Sequence, residues 1–202
     1  MATSESTTKR AVGRPRDPAL EARIKDAALN VLAEHGFSGL TLDRVCAAAK
    51  IPKATFYRRW DTPRHLVSEA FNERFEYGLL HDTGDVAADL RTFARVLVEL
   101  YTDDLLGRCL LFIVTESKVQ PDVAPLFTGA QGQRRRHNVS TLEQALETQG
   151  LRPSLPAQTI LNVLNGVAFN MYAAGQRVPL ETFDTLIDVL LKSLSKADPP
   201  ST

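Results

Sequence analysis

Hydroxyl-bearing and cationic side chains are concentrated between residues 41 and 60 of this chain. Thr41 and Tyr57 carry hydroxyls that can donate to phosphate oxygens, and Lys53 and Arg58 carry long cationic donors that can reach the acceptors of guanine. Recognition of a DNA duplex needs both kinds of contact, because phosphate contacts fix the register while base contacts select the sequence. The residue types therefore predict binding to DNA rather than covalent chemistry.

The pattern around these residues predicts two short helices joined by a tight turn. Thr41 is placed to cap the first helix, with Leu40 and Val45 as the apolar pair around its start. Pro52 permits the second helix to begin at Lys53, because proline is harmless where the amide hydrogens have no helical partner. This is the pattern of a helix-turn-helix, which places its second helix in the major groove of DNA.

The second of these helices has two contrasting faces. Phe56 and Trp60 lie four residues apart and are expected to face the core together. The cationic residues lie toward the other side, where Ala54 is small enough to let the helix approach base edges. A solvated surface without any partner has the same charge pattern, so the basic face alone leaves that alternative open.

The first 16 residues form a polar segment with a basic end. Arg14 and Arg16 flank Pro15, which keeps the backbone extended and suits a narrow minor groove. An ordinary solvated tail has a similar composition, so both interpretations stand. The net charge of the chain is zero, but residues 1–75 contain 13 Lys and Arg against 9 Asp and Glu, so this front portion is the part suited to a polyanion.

Apolar residues recur at helical spacing along most of the chain. The predicted helices span about residues 18–35, 41–49, 53–60, 63–80, 86–100, 105–119, 128–149, 155–174 and 180–195. Gly36 is expected to end the first helix, with Phe37 folding back onto the core, and the apolar circumference of the sixth predicts burial on most sides. No segment alternates apolar and polar residues as a half-buried strand does. The predicted fold class is all-α with about nine helices, beginning with a three-helix helix-turn-helix domain.

No catalytic, metal-binding or membrane pattern is found in the sequence. The four histidines show no metal-ligand spacing, and no Gly-rich phosphate loop, serine elbow or paired-carboxylate motif is present. Cys46 and Cys109 lie far apart within helical patterns and are expected to be small core residues. No apolar run reaches the roughly 18 to 20 residues of a membrane span, and the N-terminus lacks the apolar core of a secretory signal. We therefore expect a cytoplasmic protein that is not an enzyme and uses no metal or cofactor.

The segment from Leu40 to Leu66 resembles the DNA-binding domain of TetR-family transcriptional regulators. The resemblance rests on Thr41, the Ala48-Ala49 pair, the recognition segment from Lys53 to Trp60, and Leu66 itself. Residues 84–195 resemble one of the family's variable effector domains, mainly by the number of helices. The resemblance implies an all-α protein in which a helical ligand-binding and dimerisation domain follows the DNA-binding domain.

Three positions depart from the common pattern of the family. Lys50 stands where a turn glycine is frequent, and Pro52 stands where a serine is frequent. Pro63 replaces a frequent lysine, so the phosphate contact of that lysine is expected to be lost or to pass to Arg64 or His65.

The resemblance implies three segments and a set of DNA-contacting residues. A flexible basic arm covers residues 1–16, a helix-turn-helix domain covers 17–62, and an effector-binding and dimerisation domain covers 63–198. Phosphate contacts are expected from the hydroxyls of Thr41 and Tyr57, and base contacts from Lys53 and Arg58. Arg59 is expected to be either a phosphate contact or a surface charge. The expected DNA-binding residues are Arg14, Arg16, Thr41, Lys53, Ala54, Thr55, Tyr57, Arg58, Arg59, Arg64 and His65.

The resemblance also implies a homodimer with an internal ligand pocket. The expected dimer interface, on the last two helices, comprises Ile160, Leu164, Val167, Met171, Phe183, Ile187, Leu190 and Leu194. The candidate pocket comprises Phe93, Leu97, Tyr101, Cys109, Phe112, Ile113, Glu116, Asn162, Asn165, Phe169 and Tyr172. Both sets also suit plain packing within one chain, and most of the pocket candidates have the character of core residues.

These features together predict a dimeric DNA-binding transcriptional regulator. Its expected role is that of a repressor that a small-molecule effector releases from a palindromic operator. The alternative is a helical protein-interaction module that no longer binds DNA, and the retention of Lys53, Tyr57 and the arginine arm argues against it.

Overall fold

Nine α-helices and one pair of two-residue strands make up the described part of the computed structural model, which comprises residues 17–74, 79–152, 154–192 and 195–196. The helices are α1 (Pro18–Gly39), α2 (Leu42–Ala49), α3 (Lys53–Tyr57), α4 (Pro63–Arg74), α5 (Val86–Thr102), α6 (Asp104–Val119), α7 (Ala124–Thr148), α8 (Ala157–Ala173) and α9 (Leu180–Lys192). The strands β1 (Leu151–Arg152) and β2 (Ser195–Lys196) pair antiparallel. The predicted all-α fold class is confirmed, and the short strand pair is an addition to it.

Side-chain caps precede α1 and α4, which begin at residues 18 and 63 as predicted. The carboxylate of Asp17 accepts hydrogen bonds from the backbone N–H groups two and three residues later, at 3.1 and 3.2 Å. The hydroxyl of Thr62 accepts one from the N–H of His65 at 3.1 Å. Each cap is followed by a proline, whose missing amide hydrogen has no partner in the first turn anyway.

A kink near the end of α1 corrects the expectation that the helix ends at Gly36. Gly36 adopts φ 62° and ψ −173°, a conformation that is nearly restricted to glycine. The chain then forms one further helical turn to Gly39, closed by the N–H of Leu40 donating to the carbonyl of Phe37 at 3.3 Å. Phe37 folds back onto the core as predicted, and its ring lies 6.2 Å from that of Phe127 in an edge-on arrangement.

A lysine that is mostly buried joins α1 to α4. The Nζ of Lys25 lies 3.1 Å from a carboxylate oxygen of Glu21, 2.7 Å from one of Glu69 and 2.5 Å from one of Glu73. Glu69 also accepts a hydrogen bond from the indole N–H of Trp60 at 2.8 Å. The segment that follows α3 is therefore tied to both long helices of the N-terminal region.

α1 is the helix against which the N-terminal helices and the rest of the molecule both pack. It contacts α2 and α4 of the N-terminal region and α6 of the C-terminal region. The large side chains that are completely covered in this part of the core are Ile24, Leu29, Leu32, Val45, Phe56, Leu66 and Phe71. Because one continuous apolar cluster runs through both regions, a shift of α6 can be transmitted to the N-terminal helices.

The C-terminal helices differ in detail from the sequence expectation. α7 begins at Ala124 and not near residue 128, because Pro125 occupies its first turn, where proline is tolerated. α6 is not buried on most sides: Val114 and Val119 are 37% and 76% exposed, and its buried residues lie along one side. α5 packs against α8 and α9, and the guanidinium of Arg91 forms ion pairs with two aspartates of α9.

Candidate DNA-binding surface and ligand cavity

The turn between α2 and α3 arranges the two helices as a helix-turn-helix. Thr41 caps α2 as predicted, and its hydroxyl oxygen accepts a hydrogen bond from the backbone N–H of Arg44 at 3.3 Å. Lys50 ends α2 with φ 51° and ψ 52°, in the left-handed region that glycine enters more easily. The N–H of Ile51 completes the turn by donating to the carbonyl of Cys46 at 3.0 Å. The turn thus keeps its geometry although Lys50 stands where a glycine is frequent.

α3 presents one face to the core and the other to solvent. Phe56 is fully covered and Trp60 is 3% exposed, with their ring centroids 5.8 Å apart. On the outer face Tyr57 is 60% exposed, and Ala54 and Arg58 are exposed as well. The rings behind the helix hold it in place, so the outer side chains stand on a rigid support.

An intramolecular carboxylate engages one of the two cations on this outer face. The Nζ of Lys53 lies 2.5 Å from a carboxylate oxygen of Asp43 in the first turn of α2. The hydrogen bond that Lys53 donates to Asp43 raises the pKa of Lys53, so the ammonium stays charged. Arg58 has no ion pair with any residue in the described ranges. Thr55, three residues before it, is half-buried. Arg58 is thus available to an external partner, whereas Lys53 must release Asp43 before it can bind one.

Arg64, at the start of α4, is directed toward the connection between α6 and α7. Its guanidinium donates to the side-chain carbonyl of Gln120 at 2.8 Å and forms an ion pair with the carboxylate of Asp122. The same group lies 5.9 Å from the centroid of the Phe37 ring, within the range of a cation–π contact. These internal partners compete with a phosphate for Arg64.

The other expected DNA-binding residues occupy different environments. Arg59 is half-buried, and its Nη1 is covered without a hydrogen-bond partner among the described residues, so its head lies against the protein. His65 is exposed next to Arg64. Arg14 and Arg16 lie outside the described residues.

A cavity of about 890 Å³ lies among the C-terminal helices. Its volume falls in the range of roughly 300 to 1,000 Å³ that is typical of small-molecule sites. The candidate pocket residues on its wall are Phe93, Leu97, Tyr101, Ile113, Asn162, Asn165 and Phe169. They come from α5, α6 and α8, so the cavity lies between helices that are distant in sequence.

Four candidate pocket residues are not on this wall. Cys109 is buried against α1, where its Sγ donates to a backbone carbonyl at 3.3 Å, and burial raises the pKa of its thiol to about 12. The ring of Phe112 packs over Gly36 at the kink of α1, and Glu116 accepts a hydrogen bond from the amide of a residue one turn later. Tyr172 stacks on Tyr101 with 5.4 Å between ring centroids. Each of these side chains is occupied by packing or by a local partner.

The cavity wall also carries charged residues that the sequence analysis did not assign to it. The cations are Arg74, Lys118, Arg134 and Arg135, and the acids are Glu99 and Asp103. The sequence signal for charge on the cavity wall was the run of three consecutive arginines, residues 134–136, on α7. Periodicity could not reveal which of the three face the cavity, because that depends on the packing of α7 against α4 and α8.

Some residues of the expected dimer face on α8 and α9 are buried in the core of the chain, and others are partly exposed. Ile160, Leu164, Phe183 and Ile187 are covered by the chain's own core, so they are corrected from surface to interior residues. Val167, Met171 and Leu190 are half-buried, and Leu194 lies outside the described residues. The outward apolar side chains include Val189, which is 58% exposed, and a shallow groove lined by Val167, Leu186 and Val189 runs between the two helices.

Two protein-family models match the chain in the order of these two regions. Residues 24–70 match a model described as "Bacterial regulatory proteins, tetR family", which covers the helix-turn-helix. Residues 80–190 match the model "Tetracyclin repressor-like, C-terminal domain", which covers more than half of the chain and includes all of the cavity wall except Arg74. The chain belongs to the TetR family. As a TetR-family protein it is a DNA-binding transcriptional regulator and not an enzyme, as the sequence predicted.

Curated relatives resemble this TetR-family chain along most of its length. It is 28% identical over 192 residues to the uncharacterized HTH-type transcriptional regulator Rv1556 of Mycobacterium tuberculosis, covering 91% of this chain and 94% of the relative. It is 27% identical over 159 residues to the uncharacterized HTH-type transcriptional regulator YdeS of Bacillus subtilis, covering 78% of this chain and 80% of that protein.

Solved structures of other regulators share the fold of this chain. The TetR family transcription regulator SCO0332 superposes with a TM-score of 0.66 at 25% identity, covering 87% of this chain and 98% of that one. The fatty acid degradation regulator FadR of Bacillus halodurans superposes with a TM-score of 0.70 at 18% identity, covering 88% and 97%. Within the described ranges, no helix of this TetR-family protein is both long and apolar enough to cross a membrane. The same residues contain no cluster of three metal-ligating side chains.

Proposed function

We propose that this regulator is a homodimeric repressor that leaves a palindromic operator when a small molecule occupies the cavity. The observation that carries the proposal is α3, whose outer face presents a hydroxyl and two cations on a rigid apolar support. The proposed division is a basic arm over 1–16, a DNA-binding domain over 17–62 and an effector-binding and dimerisation domain over 63–198. A cytoplasmic location, where a bacterial regulator meets DNA, is part of the proposal.

The proposed roles of the DNA-contacting residues follow from their positions. Thr41 stands at the N-terminus of α2, where backbone N–H groups favour a phosphate, and Tyr57 offers its exposed hydroxyl to the same backbone. Arg58 reads a base edge directly, and Lys53 does so after exchanging Asp43 for a guanine. The proposed supporting contacts come from Ala54, Thr55, Arg59, His65 and the arm residues Arg14 and Arg16.

α6 supplies a route from the cavity to the DNA-binding helices. Its residues Ile113 and Ser117 line the cavity, and the segment that follows it holds Arg64 through Gln120 and Asp122. A ligand that displaces α6 would therefore pull on the start of α4 and reorient α3. Because binding free energies are linked, DNA that favours the other orientation must weaken ligand binding by the same factor. We therefore assign Arg64 to this coupling in preference to a DNA contact.

The homodimer is supported by the apolar side chains left outside the core on α8 and α9. Val167, Leu186 and Val189 line one continuous groove together with Glu181, Thr182 and Thr185. An exposed groove whose surface is mostly apolar is typical of a self-association surface. Two-fold pairing across this surface would set two α3 helices on successive major grooves of one face of DNA, which requires a palindromic site.

DNA binding can be tested with the purified full-length chain and genomic fragments of its host. We expect fragments to be retained in an electrophoretic mobility assay at about 50 mM salt, with affinity falling steeply toward 200 mM as phosphate contacts are screened. Arg64→Gln should retain this binding while losing most of the response to ligand. Failure to retain any fragment at low salt, in the absence of ligand, would contradict the proposal and favour the protein-interaction alternative.

A further inference from the structure

The wall of the cavity is apolar over most of its area, with polar and charged side chains set among the apolar ones. Aromatic and aliphatic side chains, among them Phe93, Leu97 and Phe169, supply the apolar part. Arg135 of α7 and Asn162 of α8, both exposed to solvent, meet on this wall, where the guanidinium donates to the side-chain oxygen at 3.2 Å. The cavity thus suits a ligand with an apolar body and one polar group.

The Arg135 charge is held in place by neutral partners. The oxygen of Asn162 that accepts from Arg135 also accepts from the amide of Gln158 at 3.0 Å, so three side chains form one small network. No carboxylate in the described ranges lies within ion-pair distance of Arg135. A guanidinium has five N–H donors, and the network uses one, so several remain for an anionic ligand.

The acids on the wall do not balance this charge. Asp103 caps α6 and accepts from the backbone N–H groups of its first turn at 3.0 and 3.1 Å. Glu99 is exposed on α5. Arg74, by contrast, is paired with Asp26 outside the cavity. Among the described residues Arg135 therefore has only a neutral amide as its partner, and an anionic group on a ligand would complete its coordination.

A second polar group lies in the apolar part of the wall. Tyr101 is 6% exposed and lines the cavity, and its hydroxyl has no hydrogen-bond partner in the part of the chain that the structure describes. Burial raises the pKa of this hydroxyl, so it remains a donor. It can accept or donate one hydrogen bond to the body of a ligand that extends from Arg135.

We propose that the effector is an organic acid, with an aromatic or aliphatic body in the cavity and a carboxylate bound by Arg135 beside Asn162 and Gln158. The inference rests on the proposed role of the cavity as the effector site. It adds a chemical class, because it excludes cationic and uncharged effectors of the same shape. A planar carboxylate matches the paired N–H groups of a guanidinium better than a point charge does.

Three probes with one apolar body test this assignment by calorimetric titration of the full-length protein. They are 6-phenylhexanoate, 6-phenylhexan-1-ol and 6-phenylhexylamine, which differ in charge at neutral pH. We expect the carboxylate to bind about tenfold more tightly than the alcohol, because a charge-assisted hydrogen bond is stronger than a neutral one. The amine should bind more weakly than either.

Two matched variants separate recognition by Arg135 from general attraction to a basic helix. Arg135→Gln should abolish the preference for the carboxylate over the alcohol, leaving the affinity for the alcohol within about twofold. Arg136→Gln removes the neighbouring exposed cation, which does not line the cavity, and should retain the preference. Circular dichroism establishes that both variants are folded.

Failure of the inference and failure of the proposed function give different results. If the alcohol or the amine binds as well as the carboxylate, or if none of the three binds at millimolar concentration, the organic-acid assignment is overturned while DNA binding is untouched. If the carboxylate binds through Arg135 but does not weaken DNA binding, the ligand class is supported and the effector role of the cavity is overturned.

Discussion

Tyr57 and Arg58 are neighbours at the end of α3 and are expected to serve DNA binding in different ways. Tyr57→Ala should weaken binding to all duplexes to a similar extent, because a phosphate contact is independent of sequence. Arg58→Ala should cost about 1 to 3 kcal/mol, chiefly at one base pair of each half-site. Fluorescence anisotropy with one bound duplex and its single-base variants measures both effects. Equal losses on every duplex for Arg58→Ala would contradict its role in base readout.

Asp43 is expected to limit the affinity of the free protein for DNA. Its carboxylate forms an ion pair with Lys53. It would also repel the DNA phosphates that the helix-turn-helix approaches, because both groups are negatively charged. Asp43→Asn should therefore increase affinity several-fold, and the salt dependence should become steeper because Lys53 neutralises a phosphate more readily. Asp61→Asn, which removes an exposed carboxylate beyond α3, is the control. Unchanged or weaker binding by Asp43→Asn would show that the pair helps to position Lys53 for DNA.

Residue roles were predictable from the sequence where the determining contacts are local. Thr41 was predicted as a cap because a cap depends on the next three residues, and Phe56 and Trp60 were predicted as a core pair because they lie one turn apart. The internal partners of Arg64 were not predicted, since Gln120 and Asp122 lie more than fifty positions away. Local pattern carries no information about such contacts.

Lys25 is expected to hold α1 and α4 together and so to fix the base of the DNA-binding region. Lys25→Met keeps most of the apolar stem of the side chain but leaves three carboxylates without their cation. Because those carboxylates are partly solvated, we expect a loss of about 1 to 3 kcal/mol in the free energy of unfolding, below the cost for a fully buried pair. Urea denaturation measures it, with the exposed Lys118→Met as the control.

The pH dependence of this effect has a definite sign. Burial alone would raise the pKa of Glu69, but hydrogen bonds from Lys25 and Trp60 lower it below the ordinary value of a glutamate. A lowered pKa in the folded state contributes stability at neutral pH that is lost as pH falls through that pKa. The stability difference between the wild type and Lys25→Met should therefore stay near its neutral-pH value until the pH reaches the ordinary pKa of a glutamate, 4.5, and narrow as the pH is lowered further. A gap that stays constant would assign the loss to packing.

At the scale of elements, helix positions were predictable and some of their boundaries were not. Caps, prolines and apolar spacing located all nine helices, because these signals act over one or two turns. The extra turn of α1 after Gly36 depends on packing of Phe37 against Phe127, and the exposure of Val119 on α6 depends on which helices surround it. Both are tertiary effects that periodicity does not contain.

The whole molecule is expected to work as a pair of chains joined through α8 and α9. Val189→Asp places a charge in the groove of the proposed interface, where it would be desolvated on pairing, and should yield monomers at micromolar concentration in light scattering. Val119→Asp, at a still more exposed position on α6, should leave the dimer intact. A Val189→Asp protein that stays dimeric would place the interface elsewhere.

The central claim is that two copies of α3 read a symmetric DNA site. Selection from a random duplex library by the full-length protein, at low salt and without added ligand, tests it most directly. We predict enrichment of a palindromic sequence whose two half-sites are one or more helical turns apart. A parallel selection with the Arg58→Ala variant should lose the base preference at the same position of both half-sites. A library that remains unenriched, or a selected site without two-fold symmetry, would contradict the account.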